Sequence, residues 1–306
     1  MKFIITGATS FLGVELVEYL LSLQHQVIAV CRPNSTGLSK IPDGANIVVA
    51  EMSEYGNLYE KIGFADIFVN LAWGGTGNEG RNIQKVQKEN VANTISAMHA
   101  ADQMGCKLFV EAGSQAEYGT VVNKITEGTS CRPFSEYGKA KLEVKNRLFK
   151  LSVQLGIKYI HLRIFSLYGE KDHPWTMIMS VIDKMLKNEK VDLSPCTQNW
   201  NFLYVKDAVK QIYLLCKNAL NSPNYVAEVY NIASKDTRVL KDFVTEMYTL
   251  SNSKSELRYG TIIPAHNVSL NPDMSKTESA IGFISESVFK DVIMSIIRNR
   301  KKNSYD

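Results

Sequence analysis

Two spacings of apolar residues alternate along the chain up to about residue 169. Continuous apolar runs of strand length lie at residues 2–6, 26–31, 46–50, 67–71, 108–112 and 159–163. Between them, at 12–23, 84–104 and 135–154, apolar residues have the spacing of an amphipathic helix. Strands that are apolar throughout and joined by helices are typical of a parallel sheet covered on both faces. The pattern therefore predicts an α/β fold with a doubly wound parallel sheet.

The alternation is less regular in the rest of the chain. Helical spacing recurs at about 177–187, 206–218 and 241–251, and short extended segments lie at 201–205 and 228–233. We expect residues 1–170, with returns near 199–235, to form the larger domain, and residues 171–198 and 236–306 to form a smaller lobe. Because no flexible linker or internal repeat separates them, we expect the two parts to fold together.

The composition is that of an ordinary globular protein: 306 residues, 45% hydrophobic, with a formal net charge of +4. The one concentrated basic run, residues 298–302, is interpreted as a frayed, solvated tail rather than a nucleic-acid-binding arm. The N-terminus enters a strand without room for a signal peptide, and no apolar stretch reaches the ~18 residues that span a membrane. The five cysteines are scattered, and the five histidines lack metal-ligand spacing. These features predict a reduced, cytoplasmic protein without disulfide, metal, membrane or nucleic-acid partners.

A glycine-containing turn joins the first strand to the first helix. Gly7 permits a tight turn, Gly13 permits close packing of helix on strand, and the free N–H groups of the helix start favour a pyrophosphate. Ser10 stands where the usual pattern has its middle glycine. The turn predicts a Rossmann-type dinucleotide site, with these residues as cofactor contacts: Gly7, Thr9, Ser10, Phe11, Leu12 and Gly13.

The end of the second strand bears on the choice of dinucleotide. An NAD-binding protein places an acidic residue there for the ribose 2′-hydroxyl, whereas this chain has Arg32. A guanidinium can bind a 2′-phosphate with two hydrogen bonds, so Arg32, helped by Ser35 and Lys40, favours NADP(H) over NAD(H). A simple surface arginine is the competing interpretation. Further cofactor contacts are predicted after the third and fourth strands, at Glu51, Met52, Leu71, Ala72 and Trp73.

Tyr137 and Lys141 are the candidate proton-transfer residues. Positions i and i+4 share one face of a helix, so the ammonium can lie near the phenol and stabilise its phenolate. Ser114 follows a predicted strand upstream of this pair. The same spacing recurs at Tyr213 and Lys217, in an apolar helix without a matching serine, and there it is interpreted as core packing with a surface lysine.

These segments together resemble the extended short-chain dehydrogenase/reductase family, which contains nucleotide-sugar epimerases, dehydratases and reductases. The resemblance covers nearly the whole chain, through residues 6–13, 89–94, 113–119, 137–141, 162–169 and 201–208. It implies that Ser114 hydrogen-bonds the reacting sugar oxygen, that Tyr137 is the acid/base, and that Lys141 tunes Tyr137 and binds the nicotinamide ribose. It also implies cofactor contacts at Asn90 and Phe165, and a homodimer.

Differences from the family pattern reduce the number of reactions that the chain is expected to catalyse. The dehydratases carry an Asp-Glu pair after the serine, and this chain has Gln115 and Ala116, which transfer no proton. Together with Arg32, this favours reduction by NADPH, and the chain is similar to NDP-4-keto-6-deoxysugar 4-reductases that serve deoxysugar and polysaccharide synthesis, abequose among their products. Two alternatives stay open: a 4-epimerase with retained NAD, and a non-catalytic NAD(P)-sensing regulator.

The substrate contacts that the resemblance implies lie around the serine and in the second half of the chain. Many family members have an arginine on the nucleotide phosphates where this chain has Trp200, so Trp200 either stacks on a base or fills the core. Core packing is likewise the competing interpretation for the other two tryptophans. The predicted substrate-binding residues are Trp73, Ser114, Gln115, Ser166, Trp175 and Trp200.

Overall fold

The computed structural model describes residues 1–77, 79–266 and 268–302. The strands, in chain order, are β1 (Lys2–Thr6), β2 (Gln26–Cys31), β3 (Asn46–Val49), β4 (Ile67–Asn70), β5 (Leu108–Ser114), β6 (Lys158–Ile164), β7 (Ser166–Tyr168), β8 (Val191–Leu193), β9 (Asn199–Tyr204), β10 (Ala227–Ile232), β11 (Thr237–Val239) and β12 (Leu257–Tyr259). The α-helices are α1 (Phe11–Ser22), α2 (Leu58–Ile62), α3 (Gln84–Gln103), α4 (Glu136–Leu155), α5 (Met177–Leu186), α6 (Val205–Asn221), α7 (Leu240–Ser251), α8 (Ser275–Ile281) and α9 (Phe289–Lys302).

A seven-stranded parallel sheet forms the centre of the molecule. Its strand order among the described residues is β10-β6-β5-β4-β1-β2-β3. The predicted doubly wound α/β fold is therefore confirmed. The order reverses between β1 and β4, and in such sheets ligands bind at that reversal, beyond the carboxyl ends of the strands.

Helices cover both faces of this sheet, as the continuously apolar strands require. Apolar side chains of α1 and α6 pack on one face, and those of α3 and α4 pack on the other. Ser10 and Ser135 define where two of these helices begin, because each hydroxyl accepts a hydrogen bond from a backbone N–H of the first turn. Helix α4 ends at Gly156, whose φ of 69° is the left-handed conformation that favours glycine.

The later part of the chain builds two small sheets and a separate core. Strands β11, β9 and β7 form one sheet, and β12 and β8 form the other. Helices α5, α7 and α9 pack around the buried ring of Phe243. The chain returns to the large sheet at β10, which pairs with β6. The domain boundaries drawn from the sequence remain a prediction.

The basic run at 298–302 does not fray as predicted. It forms the last turns of helix α9, where Arg300 pairs with Asp183 of α5 at 3.4 Å. Basic side chains are favourable at a helix C-terminus, because they oppose the negative end of the helix dipole. Residues 303–306 lie outside the described part of the chain. Within the described part, no helix has both the length and the apolar content needed to cross a membrane.

Candidate active site

The turn between β1 and α1 leaves no room for side chains at its two glycines. Gly7 has a φ of +65°, and a Cβ there would lie 2.8 Å from the backbone nitrogen of Ala72. A Cβ on Gly13 would lie 2.3 Å from the Gly7 carbonyl oxygen. The tight turn and the close packing of α1 on β1 that the sequence predicts are therefore both present.

A cavity of about 410 Å³ lies at the start of α1. The Ser10 hydroxyl accepts a hydrogen bond from the Gly13 N–H at 3.0 Å, so this residue caps the helix in place of a glycine. Lys40 and Lys171 bring positive charge to the cavity wall. Lys171 is paired with Glu15 at 3.0 Å and Glu18 at 2.9 Å, so a helix start with the Lys40 ammonium nearby is the part that fits a pyrophosphate. The lining residues are Thr9, Ser10, Phe11, Val14, Lys40, Lys171 and His173.

The other predicted cofactor residues near this turn differ in their exposure and in their partners. Leu12 belongs to the core between α1 and the sheet, so its side chain faces away from the cavity. Arg32 is exposed at the end of β2. The Ser35 hydroxyl donates to Thr9 Oγ1 at 3.3 Å and ties the loop after β2 to the turn. Glu51 begins a short 3₁₀ helix through its N–H bond to Glu54. The binding of a 2′-phosphate by Arg32 stays a prediction.

The loop after β4 is fastened to helix α3. The Asn90 side chain accepts from the Gly74 N–H at 2.9 Å and donates to the Gly74 carbonyl at 2.8 Å. Trp73 Nε1 donates to Gln87 Oε1 at 2.8 Å. Of the other residues predicted after β3 and β4, Ala72 is buried, and Leu71 and Met52 are half-buried against the core. Asn90 thus acts by holding the loop that carries Trp73.

Trp73 stands between the two predicted catalytic side chains of α4. Its ring meets the Tyr137 ring edge-on, with centroids 6.1 Å apart, and the Lys141 ammonium lies 3.4 Å from its centroid. Lys141 Nζ also donates to Glu111 Oε1 at 3.1 Å and to the Ala112 carbonyl. Among the described residues these are the contacts of the ammonium, and the Tyr137 hydroxyl is not one of them. The sequence-based expectation placed Lys141 beside that hydroxyl.

A row of polar side chains crosses the sheet beneath Lys141. Thr6, Asn70, Glu111 and His161 occupy matched positions on β1, β4, β5 and β6, so they face the same side. The Thr6 hydroxyl donates to Asn70 Oδ1 at 2.6 Å, and Asn70 Nδ2 donates to Glu111 Oε2 at 2.7 Å. Burial raises the pKa of Glu111, and the Lys141 charge and the Asn70 hydrogen bond partly oppose this. The row anchors Lys141 to the sheet.

A second buried network fixes the end of β5. Glu117 Oε1 accepts from the Ser114 N–H at 2.9 Å and bonds His161 Nε2 at 2.8 Å, while Oε2 accepts from Arg163 Nε at 2.9 Å. Burial alone would raise the Glu117 pKa, but His161 and Arg163 outweigh it and lower the pKa to about 2. Glu117 is therefore a buried carboxylate that orients the backbone of Ser114.

A second cavity, of about 300 Å³, is lined by Gln115 and Ala116, which follow Ser114 in the chain, and by Ser135, which begins the helix that carries Tyr137. Predicted substrate residues Gln115 and Trp200 both line it. Arg81 also lines it, and its guanidinium carbon lies 4.4 Å from the centroid of the Tyr137 ring. The lining residues are Arg81, Asn82, Gln115, Ala116, Gly119, Phe134, Ser135, Trp200 and Val268.

Other predicted contacts lie outside this cavity wall. Trp175 is 73% exposed and stacks on His173, with ring centroids 4.4 Å apart, so it neighbours the cavity at α1. Phe165 is buried against Tyr118, and Ser166 begins β7 half-buried. Their roles toward cofactor and substrate remain predictions.

Sequence reasoning missed three residues of the site: Arg81, Glu111 and Glu117. Glu111 did leave a signal, because a carboxylate inside an otherwise apolar strand needs a buried partner. Arg81 left none, since it lies in a short 3₁₀ turn at Gly80–Asn82 that only the fold brings over Tyr137. Glu117 lies within the motif at 113–119, but its charged partners, His161 and Arg163, come from β6.

Comparison with known proteins bears on this arrangement. Residues 3–233 match the family model described as the NAD dependent epimerase/dehydratase family. This chain belongs to that family. The family-level resemblance drawn from the motifs is thus confirmed, and the dinucleotide named in the description suits the cavity at α1.

Individual relatives in this family are distant. An uncharacterized UDP-glucose epimerase of Bacillus subtilis is 24% identical over 304 residues, which cover 95% of each chain. The CDP-abequose synthase of Salmonella muenchen is 24% identical over 271 residues, 85% of this chain and 84% of that one. The UDP-glucose 4-epimerase of Thermotoga maritima shares the fold, with a TM-score of 0.88 at 18% identity over 99% of this chain and 100% of that one.

Proposed function

We propose that this protein reduces the C4 ketone of a nucleotide-activated 4-keto-6-deoxyhexose with NADPH, as a step of deoxysugar synthesis. The observation that carries the proposal is the composition of the cavity that Gln115 and Ala116 line. No Asp or Glu is among the described residues that line it, and Gln115 and Ala116 occupy the wall next to the serine. Elimination of water needs a second proton-transfer group there, whereas ketone reduction needs one proton donor.

Residues of α4 and β5 have separate roles in this reaction. The nicotinamide cofactor supplies the hydride when it is bound. The Ser114 hydroxyl hydrogen-bonds the C4 oxygen, and Tyr137 donates its phenolic proton to the same oxygen as negative charge develops there. Trp73 packs against both Tyr137 and Lys141 and restricts the positions of the two side chains. Lys141, on α4 and hydrogen-bonded to Glu111 and Ala112 of β5, would bind the nicotinamide ribose.

The residues of the predicted cofactor site favour NADPH over NADH. The turn from Gly7 to Gly13 would hold the pyrophosphate, and the exposed Arg32 would meet the 2′-phosphate, with Lys40 on the wall of the same cavity. The hydrogen bond between Ser35 and Thr9 ties the loop after β2 to the turn, and this would hold Arg32 near a bound cofactor. The CDP-abequose synthase among the relatives also fits a deoxysugar substrate.

A 4-epimerase is the second candidate, and the Bacillus subtilis relative named as an epimerase favours it. An epimerase oxidises and reduces the same sugar carbon, so it keeps NAD bound and consumes no external NADPH. A dinucleotide-sensing regulator is less well supported, because the chain has Ser114, Tyr137 and Lys141 at the positions of the family's catalytic residues. The family resemblance also supports a homodimer, which sedimentation velocity would test.

The first experiment mixes the purified protein with NADPH or NADH and a panel of dTDP-, CDP- and GDP-4-keto-6-deoxyhexoses. Loss of the reduced-nicotinamide absorbance with one ketosugar, faster with NADPH, is the expected result. Tyr137→Phe should lower the rate by about 10²–10⁴-fold, which is the usual contribution of a general acid. Copurified NAD together with interconversion of 4-hydroxy epimers, and no loss of NADPH, would select the epimerase instead.

A further inference from the structure

Among the described residues, a single charged side chain lines the cavity that also contains Gln115 and Trp200. That side chain is Arg81, and the other lining residues are neutral. Its guanidinium has no anionic partner, since no described residue forms a hydrogen bond or an ion pair with the Arg81 side chain. Charges in protein pockets are usually paired, so a cation that faces a cavity without a partner favours a ligand that carries negative charge.

The turn that carries Arg81 is fastened on both sides. Gln87 Nε2 donates to the Gly80 carbonyl at 3.0 Å. Asn82 Oδ1 accepts from the Glu136 N–H at 3.4 Å, which ties the turn to the first residue of α4. Neither bond uses the Arg81 side chain, so the guanidinium can bind a ligand without disturbing the turn. Arg81 thus stands on a fixed backbone with its charged end available.

Arg81 lies beside the residue that is expected to act on the sugar. Its guanidinium carbon is 4.4 Å from the centroid of the Tyr137 ring. The next step rests on the proposed function, in which Tyr137 protonates the C4 oxygen of a nucleotide sugar. In such a substrate the diphosphate is bonded to C1 of the same ring, and its β-phosphate is the anionic group nearest to the sugar. A side chain over the Tyr137 ring is therefore separated from that phosphate by little more than the width of one sugar ring.

Several other cations that a phosphate could meet already have carboxylate partners. In the second half of the chain, pairs with N–O distances of 2.8 Å or less join Arg238 with Asp236 and Glu246, Arg258 with Asp192, and Lys276 with Glu228. A phosphate that bound one of these cations would have to compete with the carboxylate that the cation already holds. Binding to Arg81 requires no such exchange, so Arg81 is the better phosphate-binding side chain.

We propose that Arg81 binds the diphosphate of the nucleotide sugar, with the β-phosphate held next to Tyr137. A guanidinium is a planar fork of N–H donors that forms two parallel hydrogen bonds to a phosphate. The diphosphate in turn supplies the negative charge that the cavity wall lacks. Arg81 is then a substrate-binding residue, so its loss should raise KM more than it lowers kcat.

Nucleotide binding without chemistry tests this contact directly. The protein is kept in excess NADP⁺, so that the dinucleotide site is filled, and is titrated in a calorimeter with the mono- and diphosphates of deoxythymidine, cytidine, guanosine and uridine. For the diphosphate that the wild type binds, Arg81→Met should weaken binding by about ten- to a hundredfold, because hydrogen bonds between charged groups are lost. The matching monophosphate should lose much less, since it lacks the phosphate nearest to Tyr137. Arg81→Lys should recover part of the loss.

Arg132→Met is the matched control. Arg132 is an exposed arginine close to Phe134 in the chain, and it is not among the described residues that line the cavity. Its removal should leave the affinity for the diphosphate within about twofold, because exposed charges are screened by salt. Since the bonds of Gln87 and Asn82 hold the turn, Arg81→Met should keep the urea unfolding midpoint of the wild type.

The proposal would be overturned if no diphosphate bound the wild type, if folded Arg81→Met lost no more affinity than Arg132→Met, or if mono- and diphosphate lost equally. Ketosugar reduction, assayed separately, keeps the two failures apart. Arg81-dependent diphosphate binding without reduction of any ketosugar would refute the proposed function and support the phosphate contact. Reduction whose kcat falls in Arg81→Met, with nucleotide affinity unchanged, would support the proposed function and overturn the role of Arg81 in phosphate binding.

Discussion

Replacing Glu117 by Gln tests the buried network that orients Ser114. Glutamine keeps the size of the side chain but removes the charge that faces His161 and Arg163. In the folded protein the Glu117 pKa is about 2, compared with the ordinary 4.5. At ~1.4 kcal/mol per pH unit, this difference corresponds to about 3 kcal/mol of stability at neutral pH. Removing one partner of a buried ion pair has a cost of the same size.

The pH dependence has a definite sign. Because the folded-state pKa of Glu117 is lowered, its contribution is complete above the ordinary pKa and is lost as pH falls toward about 2. Urea unfolding, followed by far-UV circular dichroism, should therefore give a variant that is less stable by about 3 kcal/mol at pH ~7. The difference should shrink to about half by pH ~3, because the carboxyl of the unfolded chain binds its proton below pH ~4.5 while that of the folded protein stays mostly ionised.

Glu143→Gln is the matched control for this measurement. Glu143 pairs with Arg147 on the exposed side of α4, where the two side chains are 45% and 58% exposed. Loss of an exposed pair should change stability by less than about 1 kcal/mol. The reasoning would be refuted if Glu117→Gln were no worse than this control at neutral pH, or if its destabilisation were the same at pH ~3 and ~7.

Two further predictions concern the cofactor site. Gly13→Ala should weaken NADPH binding at least about tenfold in calorimetry, since its Cβ would lie 2.3 Å from a backbone oxygen, whereas Gly77→Ala, with nothing within 4 Å, should bind normally. Normal affinity in Gly13→Ala would contradict the tight turn. Arg32→Ala should weaken NADPH binding about tenfold or more and leave NADH within about twofold, because only NADPH carries the 2′-phosphate. Equal losses for both would assign Arg32 a different role.

The main sheet could be predicted from the sequence because its strands are buried on both faces. Runs such as 108–112 are apolar throughout, and helices of clear periodicity separate them, so element type followed from local pattern. The strand predicted at 108–112 extends to Ser114 in the structure. The short strands β7, β8, β11 and β12 were not predicted, since three residues are too few for a periodic signal.

Only those parts of the candidate site that belong to a local sequence motif could be predicted. The glycine turn and the Tyr137 and Lys141 spacing are visible in sequence, but the partner of Lys141 depends on strand register. Asn70 and Glu111 meet because β4 and β5 pair in one particular alignment. Arg81 reaches Tyr137 through a fastened loop, and no periodicity encodes that contact. Sequence therefore predicts Tyr137 as the acid/base, but it does not predict which side chains contact Tyr137 and Lys141.

Transfer of deuterium tests the central claim most directly. The protein is incubated with a 4-keto-6-deoxyhexose nucleotide and NADPH labelled with deuterium at the transferable C4 position, and the product is examined by NMR and mass spectrometry. Ketone reduction predicts one deuterium at C4 of the sugar, with product formation greatly reduced in Tyr137→Phe. A ketosugar that gains no deuterium, together with conversion of a 4-hydroxy nucleotide sugar into its C4 epimer without added NADPH, would contradict reduction, because an epimerase returns the hydrogen that it took from the same sugar.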